Sequence, residues 1–161
     1  MVILVMGVAG SGKTTVGRAL AASLDWSFRD ADEFHPPANI AKQAAGIPLD
    51  DADRAPWLAA IRAHLDERLA RGENAVVTCS ALKEKYRAAL VADPARVKLV
   101  HLSGAPALLA ARIAGRTDHF MKPEMLASQL AALELPRDAL TVDIAEPPDK
   151  LVARIRRALA V

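Results

Sequence analysis

Aromatic side chains are scarce in this chain of 161 residues: two Trp, one Tyr and three Phe make up 4% of it. Surfaces that bind nucleic acid interleave aromatic rings with clustered cations, and here the basic residues are dispersed as well. Charge of one sign is also missing. Lys and Arg total 21 against 19 Asp and Glu, a net +2, so a pI near 8.9 carries no footprint for a polyanion. Cysteine is down to Cys79 alone, which excludes a disulfide framework. No apolar run approaches the ~18–20 residues that span a bilayer. A charged n-region followed by a small-residue cleavage site is absent too, so no export signal is expected. These absences leave no nucleic-acid or membrane partner in prospect and point to a reducing, cytoplasmic setting.

What the chain has is small apolar bulk. Hydrophobic residues reach 52%, and 34 positions are alanine, which favours helices and close packing over aromatic stacking. Disorder is excluded by that fraction. The length suits one domain over residues 1–161, with no linker or repeat to divide it. Val2–Met6 and Ala75–Cys79 read as strands buried on both faces. Trp26–Asp30, Val97–Leu102 and Ala139–Ile144 supply three more. Helices are expected over Lys13–Leu24, Pro37–Ala45, Asp51–Arg71, Lys83–Ala92, Pro106–Gly115, Pro123–Leu133 and Asp149–Ala160. In the longest, Leu58, Ile61, Leu65 and Leu69 form the apolar stripe. The final helix buries Leu151, Val152, Ile155 and Leu159. Alternating strands and helices predict an α/β fold, a five-stranded parallel sheet with helices on both faces.

Gly7-Val8-Ala9-Gly10-Ser11-Gly12-Lys13-Thr14 fits the phosphate-loop pattern G-x-x-x-x-G-K-[ST] without a mismatch. Its glycines let successive N–H groups turn inward toward phosphate oxygens, and the helix that follows adds its N-terminal dipole. Gly7, Ala9, Gly10, Ser11, Gly12, Lys13, Thr14 and Thr15 are therefore the candidate ATP-binding residues. Lys13 reaches the β- and γ-phosphates, and the Thr14 hydroxyl binds Mg²⁺ directly. No N-K-x-D guanine reader occurs, which argues against a GTP switch. The Val76–Cys79 strand ends in Thr78-Cys79-Ser80 and offers no acid for the metal.

That acid must come from Asp30-Ala31-Asp32, at the carboxyl end of the second strand, where a parallel sheet opens its ligand crevice. One carboxylate can order water on Mg²⁺ while the other accepts a proton from an attacking hydroxyl. A solvated turn or helix cap is the plain alternative. Position favours a small-molecule kinase.

Three further segments go with this loop. Asp30-Ala31-Asp32-Glu33-Phe34-His35-Pro36-Pro37 leads on to Asp51-Ala52-Asp53-Arg54-Ala55-Pro56-Trp57-Leu58. Cys79-Ser80-Ala81-Leu82-Lys83 continues to Tyr86-Arg87, and His119-Phe120-Met121 precedes Ser128-Gln129-Leu130 and Leu133-Glu134. Together they resemble the gluconokinase family, a branch of the shikimate-kinase and adenylate-kinase-like P-loop kinases. The resemblance runs from Gly7 to the Val142-Asp143-Ile144 strand. It implies a three-layer P-loop kinase fold, transfer of phosphate from ATP to D-gluconate, Mg²⁺ as cofactor and a homodimer.

Gluconate is an anion carrying a run of hydroxyls. Arg54, Lys83, Arg87 and His35 can meet its carboxylate, Arg with bidentate geometry. Asp32 is assigned the terminal hydroxyl, as base or orienting group, and Asp30 the metal-bound water, although the two could be exchanged. Similar kinases close a short lid over ATP. Residues 112–122 fit that place, with Arg112 at the adenine, Arg116 at the transferred phosphoryl group and His119 on the acceptor side. Simpler roles exist for several of these residues. Asp51 and Arg54 could cap the long helix, Lys83 and Arg87 could form a solvated face, and Cys79 could merely pack.

The chain departs from the family in places. Ala9 replaces the frequent Ser or Cys, Ala31 stands for the usual Gly, and Thr117-Asp118 replaces Lys-Gly. Asp118 brings negative charge near ATP and should raise its KM. A shikimate-kinase-like enzyme is disfavoured because Cys79-Ser80-Ala81 replaces a glycine-rich segment. A non-catalytic ATP-binding module is disfavoured because Lys13 and Asp32 are both present.

Overall fold

Strand β1 (Val2–Met6) is buried along its whole length, as an apolar run without polar alternation demands, and it lies at the centre of the sheet. The computed structural model describes residues 1–115 and 123–161. Around β1 run β2 (Ser27–Asp30), β3 (Ala75–Cys79), β4 (Val97–Ser103) and β5 (Leu140–Asp143), all parallel, in the order β2-β3-β1-β4-β5. Chain leaving β1 turns toward β2, and chain leaving β4 turns toward β5. Their carboxyl ends therefore part to leave a crevice beside β1.

Among the described residues seven helices surround the sheet: α1 (Lys13–Leu24), α2 (Pro37–Ala44), α3 (Asp51–Ala70), α4 (Glu84–Leu90), α5 (Pro106–Ala114), α6 (Pro123–Ala132) and α7 (Pro148–Leu159). Strand periodicity sorts the core into two layers. Ile3, Val5, Val76, Val100 and Val142 face Val16 and Leu20 of α1, Leu109 of α5 and Leu151 and Ile155 of α7. Val2, Leu4, Met6, Val77 and Val97 face Trp57, Ile61 and Leu65 of α3 and Leu90 of α4. This is the P-loop kinase fold. Among the described residues no helix is long and apolar enough to cross a membrane.

Two local expectations are corrected. The buried stripe of α3 is Trp57, Ile61, Leu65 and Leu69, with Leu58 only partly covered. Trp57 takes the core position because its indole N–H finds a buried partner, the Ala31 carbonyl at 2.7 Å. The cap of α3 is also shifted by one residue. Asp50 accepts from Asp53 N at 2.8 Å while Asp53 accepts from Asp50 N, a capping box that leaves Asp51 and Arg54 out. Between β2 and α2, where no helix is expected, Ala31–Phe34 forms a 3₁₀ turn capped by Asp30.

Candidate active site

The turn from β1 to α1 takes its shape from three glycines in positive φ: Gly7 at 156°, Gly10 at 78° and Gly12 at 86°. A Cβ on Gly10 would come within 2.8 Å of the Leu109 carbonyl, so the loop packs against α5 as closely as backbone permits. Lys13 Nζ lies 3.2 Å from the Val8 carbonyl, which holds the side chain over the loop. Thr14 and Thr15 stand exposed on the first turn of α1, which itself carries no acidic residue.

The two aspartates after β2 part company. Asp30 is half-buried. Its Oδ2 accepts from the Thr14 hydroxyl at 2.8 Å and its Oδ1 from Asp32 N at 3.2 Å. The side chain of Asp32 is 84% exposed, 3.9 Å from His35 Nε2. A hydroxyl and a carboxylate meeting beside a phosphate loop are the hard oxygen donors that Mg²⁺ takes. The residues thus fit the ion. Among the described residues no three His, Cys, Asp or Glu gather at a metal site, so most of its ligands would be waters and phosphate oxygens.

Arg54, whose charge acts on His35 beside Asp32, belongs to a charged cluster at the starts of α3 and α4. Asp51, freed from capping, accepts from Lys85 Nζ and Tyr86 Oη and lies 3.5 Å from Lys83 Nζ. Lys83, Lys85 and Arg54 each stand 5.7 Å from the Tyr86 ring centroid. The hydrogen bonds from Lys85 and Tyr86 hold the Asp51 carboxyl far below the usual carboxylate range. Burial and the bond to Asp51 push the Tyr86 hydroxyl up to about 12. The cluster is mixed in sign: Lys83, Lys85 and Arg54 stand around Tyr86 with Asp51, and Glu134 also acts on the Tyr86 hydroxyl.

Arg87 does not join it. Expected at a substrate carboxylate, its side chain is instead buried, at 7% exposure, with Nη1 donating to the carbonyls of Ala81 and Leu82 at 3.1 and 2.9 Å. Ala81 has a left-handed φ of 43°, a conformation that costs an L-residue about 1–2 kcal/mol. Arg87 therefore secures the strained turn that follows β3. A spacing of four residues placed it beside Lys83 on paper, but the helix turns it inward.

Arg112, expected at the adenine, lies against the phosphate loop, with Nη1 on the side of Gly12. Its Nη2 donates to the Ile144 carbonyl at 2.7 Å. With Gly10, Gly12, Thr15, Glu146 and Pro148 it lines a cavity of about 230 Å³ beside the loop. A larger cavity of about 400 Å³, between α4 and the amino ends of β4 and β5, lies on the wrong side of the sheet for a phosphate-loop ligand. Arg116 and His119, with the rest of 116–122, lie outside the described residues.

Several contributors escaped the sequence analysis. Lys85 and Tyr86 sat beside or inside the quoted strings without a role and Asp51 with only a capping one, although Tyr86 is three residues from Lys83, the N-cap of α4. Gln129 of α6 reaches back 120 positions to take the Ala9 N–H on its Oε1 at 2.7 Å. No local spacing signals that bond.

Comparisons with known proteins bear on the family and the fold. Residues 2–136 match the family described as the AAA domain. The chain is 49% identical over 136 residues to a gluconokinase of Gluconobacter oxydans, covering 84% of this chain and 76% of that one. Among solved structures, a sugar kinase from Janibacter sp. HTCC2649 superposes with a TM-score of 0.91 at 41% identity, over 99% and 94% of the two chains. A gluconokinase from Sinorhizobium meliloti 1021 does so with 0.84 at 44% identity, over 98% and 94%.

Proposed function

The chain belongs to the gluconokinase family, and we propose that it transfers the γ-phosphoryl group of ATP to the terminal hydroxyl of D-gluconate, yielding 6-phosphogluconate and ADP. The observation that carries this reading is the division of the two aspartates. Asp30 is tied to Thr14 on the nucleotide side, and Asp32 lies exposed beside His35. One carboxylate serves the triphosphate and the other is left for the acceptor.

ATP lies with its phosphates along the amides of residues 9–15 and Lys13, and its adenine toward Arg112 and the turn after β5. Bound Mg²⁺, held by Thr14 and by Asp30 through water, would neutralise charge on the β- and γ-oxygens. Gluconate enters with its carboxylate toward Arg54 and Lys83, which leaves the far hydroxyl near Asp32. That oxygen forms the new bond to phosphorus as the bond to the β,γ-bridging oxygen breaks, and its proton passes to the Asp32 carboxylate. ADP keeps the electrons of the broken bond. Because the transition state is loose, alignment and neutralisation matter more than the strength of the base. Lys13 supplies positive charge where it accumulates.

The test is ADP release coupled to a reporter enzyme, with gluconate set against shikimate and neutral hexoses. Gluconate should be the preferred acceptor. Turnover with shikimate or a hexose but none with gluconate overturns the reading.

A further inference from the structure

His35 is buried, and three neighbours determine what it can do. Its ring stacks on Trp57 with centroids 4.5 Å apart and planes 8° from parallel, so the imidazole cannot tumble. Nε2 points to Asp32, 3.9 Å from Oδ1. On the other side Nδ1 lies 3.4 Å from Asn39 Nδ2.

Asn39 is 2% exposed, and its orientation is not open to choice. The same Nδ2 lies 2.8 Å from the Asp53 carbonyl, an oxygen that can only accept. That atom must therefore be the NH₂ group, which carries two hydrogens. One goes to Asp53, and the other faces His35 Nδ1. A donor facing Nδ1 requires a lone pair there, so the ring proton sits on Nε2. Burial lowers the His35 pKa against an opposing pull from Asp32, and Arg54 lowers it further; Trp57 and Asn39 bring no charge.

We propose that Asn39 is a positioning residue that locks His35 in the Nε2–H tautomer, so that His35 presents a hydrogen-bond donor to Asp32 and to the acceptor. The link runs from the backbone of α3 through Asn39 of α2 to the mouth of the crevice. Its first consequence is that the Asp32 carboxylate is oriented, with one oxygen toward the ring and the other toward the acceptor. Its second is selectivity: any substrate atom meeting His35 must offer a lone pair, as a hydroxyl or carboxylate oxygen does. Both consequences rest on the role proposed for Asp32, whereas the tautomer does not.

Long-range ¹H–¹⁵N correlation of the imidazole nitrogens in ¹⁵N-labelled wild-type protein at pH 7.5 decides the tautomer. The His35 signals are assigned by their loss in His35→Gln. A bare Nδ1 and a protonated Nε2 are expected; the reverse pattern overturns the proposal. Asn39→Asp replaces the donor by a pure acceptor and should move the proton to Nδ1. It should also lower kcat about tenfold or more, as loss of a group that orients a ligand side chain commonly does, with the KM for ATP unchanged. An unshifted proton or an unchanged kcat in this variant overturns it as well. Should the variant fail to fold, the wild-type spectrum still decides. Should gluconate prove inactive while the expected tautomer is seen, the substrate reading fails and the tautomer assignment stands.

Discussion

The Thr14 hydroxyl donates to Asp30 Oδ2 at 2.8 Å, joining the first turn of α1 to the carboxyl end of β2 across the crevice. The bond separates two carboxylates that are neighbours in sequence. Asp30 is held in place by Thr14, while Asp32, two residues on, keeps its side chain in solvent beside His35.

Different kinetic signatures should follow. Asp32→Asn should lower kcat at least ~100-fold with little change in the KM for ATP, because it removes the proton acceptor. Asp30→Asn should raise the Mg²⁺ concentration needed for half-maximal rate. Lys13→Ala should cost at least ~100-fold in kcat through lost charge stabilisation. Steady-state rates over a Mg²⁺ titration check all three. Near-normal turnover in Asp32→Asn would remove it from the base role.

Lys83 and Arg87 should separate just as cleanly. Lys83→Ala should raise the KM for gluconate about tenfold or more and leave that for ATP unchanged, since a carboxylate loses a charged partner. Arg87→Met should take the Arg87 donor from the buried Ala81 carbonyl beside the strained turn, while the Leu82 carbonyl keeps its bond from Glu134 N–H. A stability loss of about 1–3 kcal/mol is expected, with the KM for gluconate largely kept. Denaturant melts beside initial-rate kinetics distinguish the two outcomes.

Stability should fall as the medium is acidified from pH 7 toward 5. Burial lowers the pKa of His35, His64 and His101 below the ordinary 6.5. Below pH 6.5 the unfolded chain therefore takes up protons that the folded chain refuses, and the equilibrium shifts toward unfolding until the folded pKa values are passed. Asp51, Asp53 and Asp93 are lowered too, but they exact their cost only below about pH 4. Thermal melts at pH 7.5, 6.5 and 5.5 should show Tm dropping between the last two. A flat profile there would contradict the burial of these rings.

Gly17 offers a packing test away from the chemistry. A Cβ there would lie 2.6 Å from Thr78 Cγ2 and 3.0 Å from Phe28 Cε2, between α1 and the sheet. Although alanine is the better helix former, Gly17→Ala should destabilise by about 1–3 kcal/mol through overpacking. Chemical denaturation of the variant measures it directly.

The strands and helices were legible because their signals are local. The apolar runs of β1 and β3 and the proline and glycine boundaries of α2 and α3 appear within a residue or two of their predicted places. Periodicity located the α3 stripe but chose Leu58 over Trp57, since hydropathy does not see the hydrogen bond that rewards a buried indole. The phosphate loop and the pair of aspartates after β2 were readable from spacing, whereas the bond that ties Asp30 to Thr14 joins two elements and has no local signal. Arg87 was misread, and Gln129 and Asn39 received no role, for one reason. Each is defined by contact with a backbone group or ring whose position depends on the completed fold.

Cys79 closes β3 with its thiol fully buried, and that burial pushes its pKa up to about 12. It is the chain's single cysteine. The native protein should thus be inert to maleimides and to disulfide exchange. A cysteine introduced on the exposed face of α2 or α7 would become the lone reactive thiol. The molecule comes ready for site-specific spin or fluorophore labelling, and separations across the crevice can be followed during turnover without first stripping out a native residue.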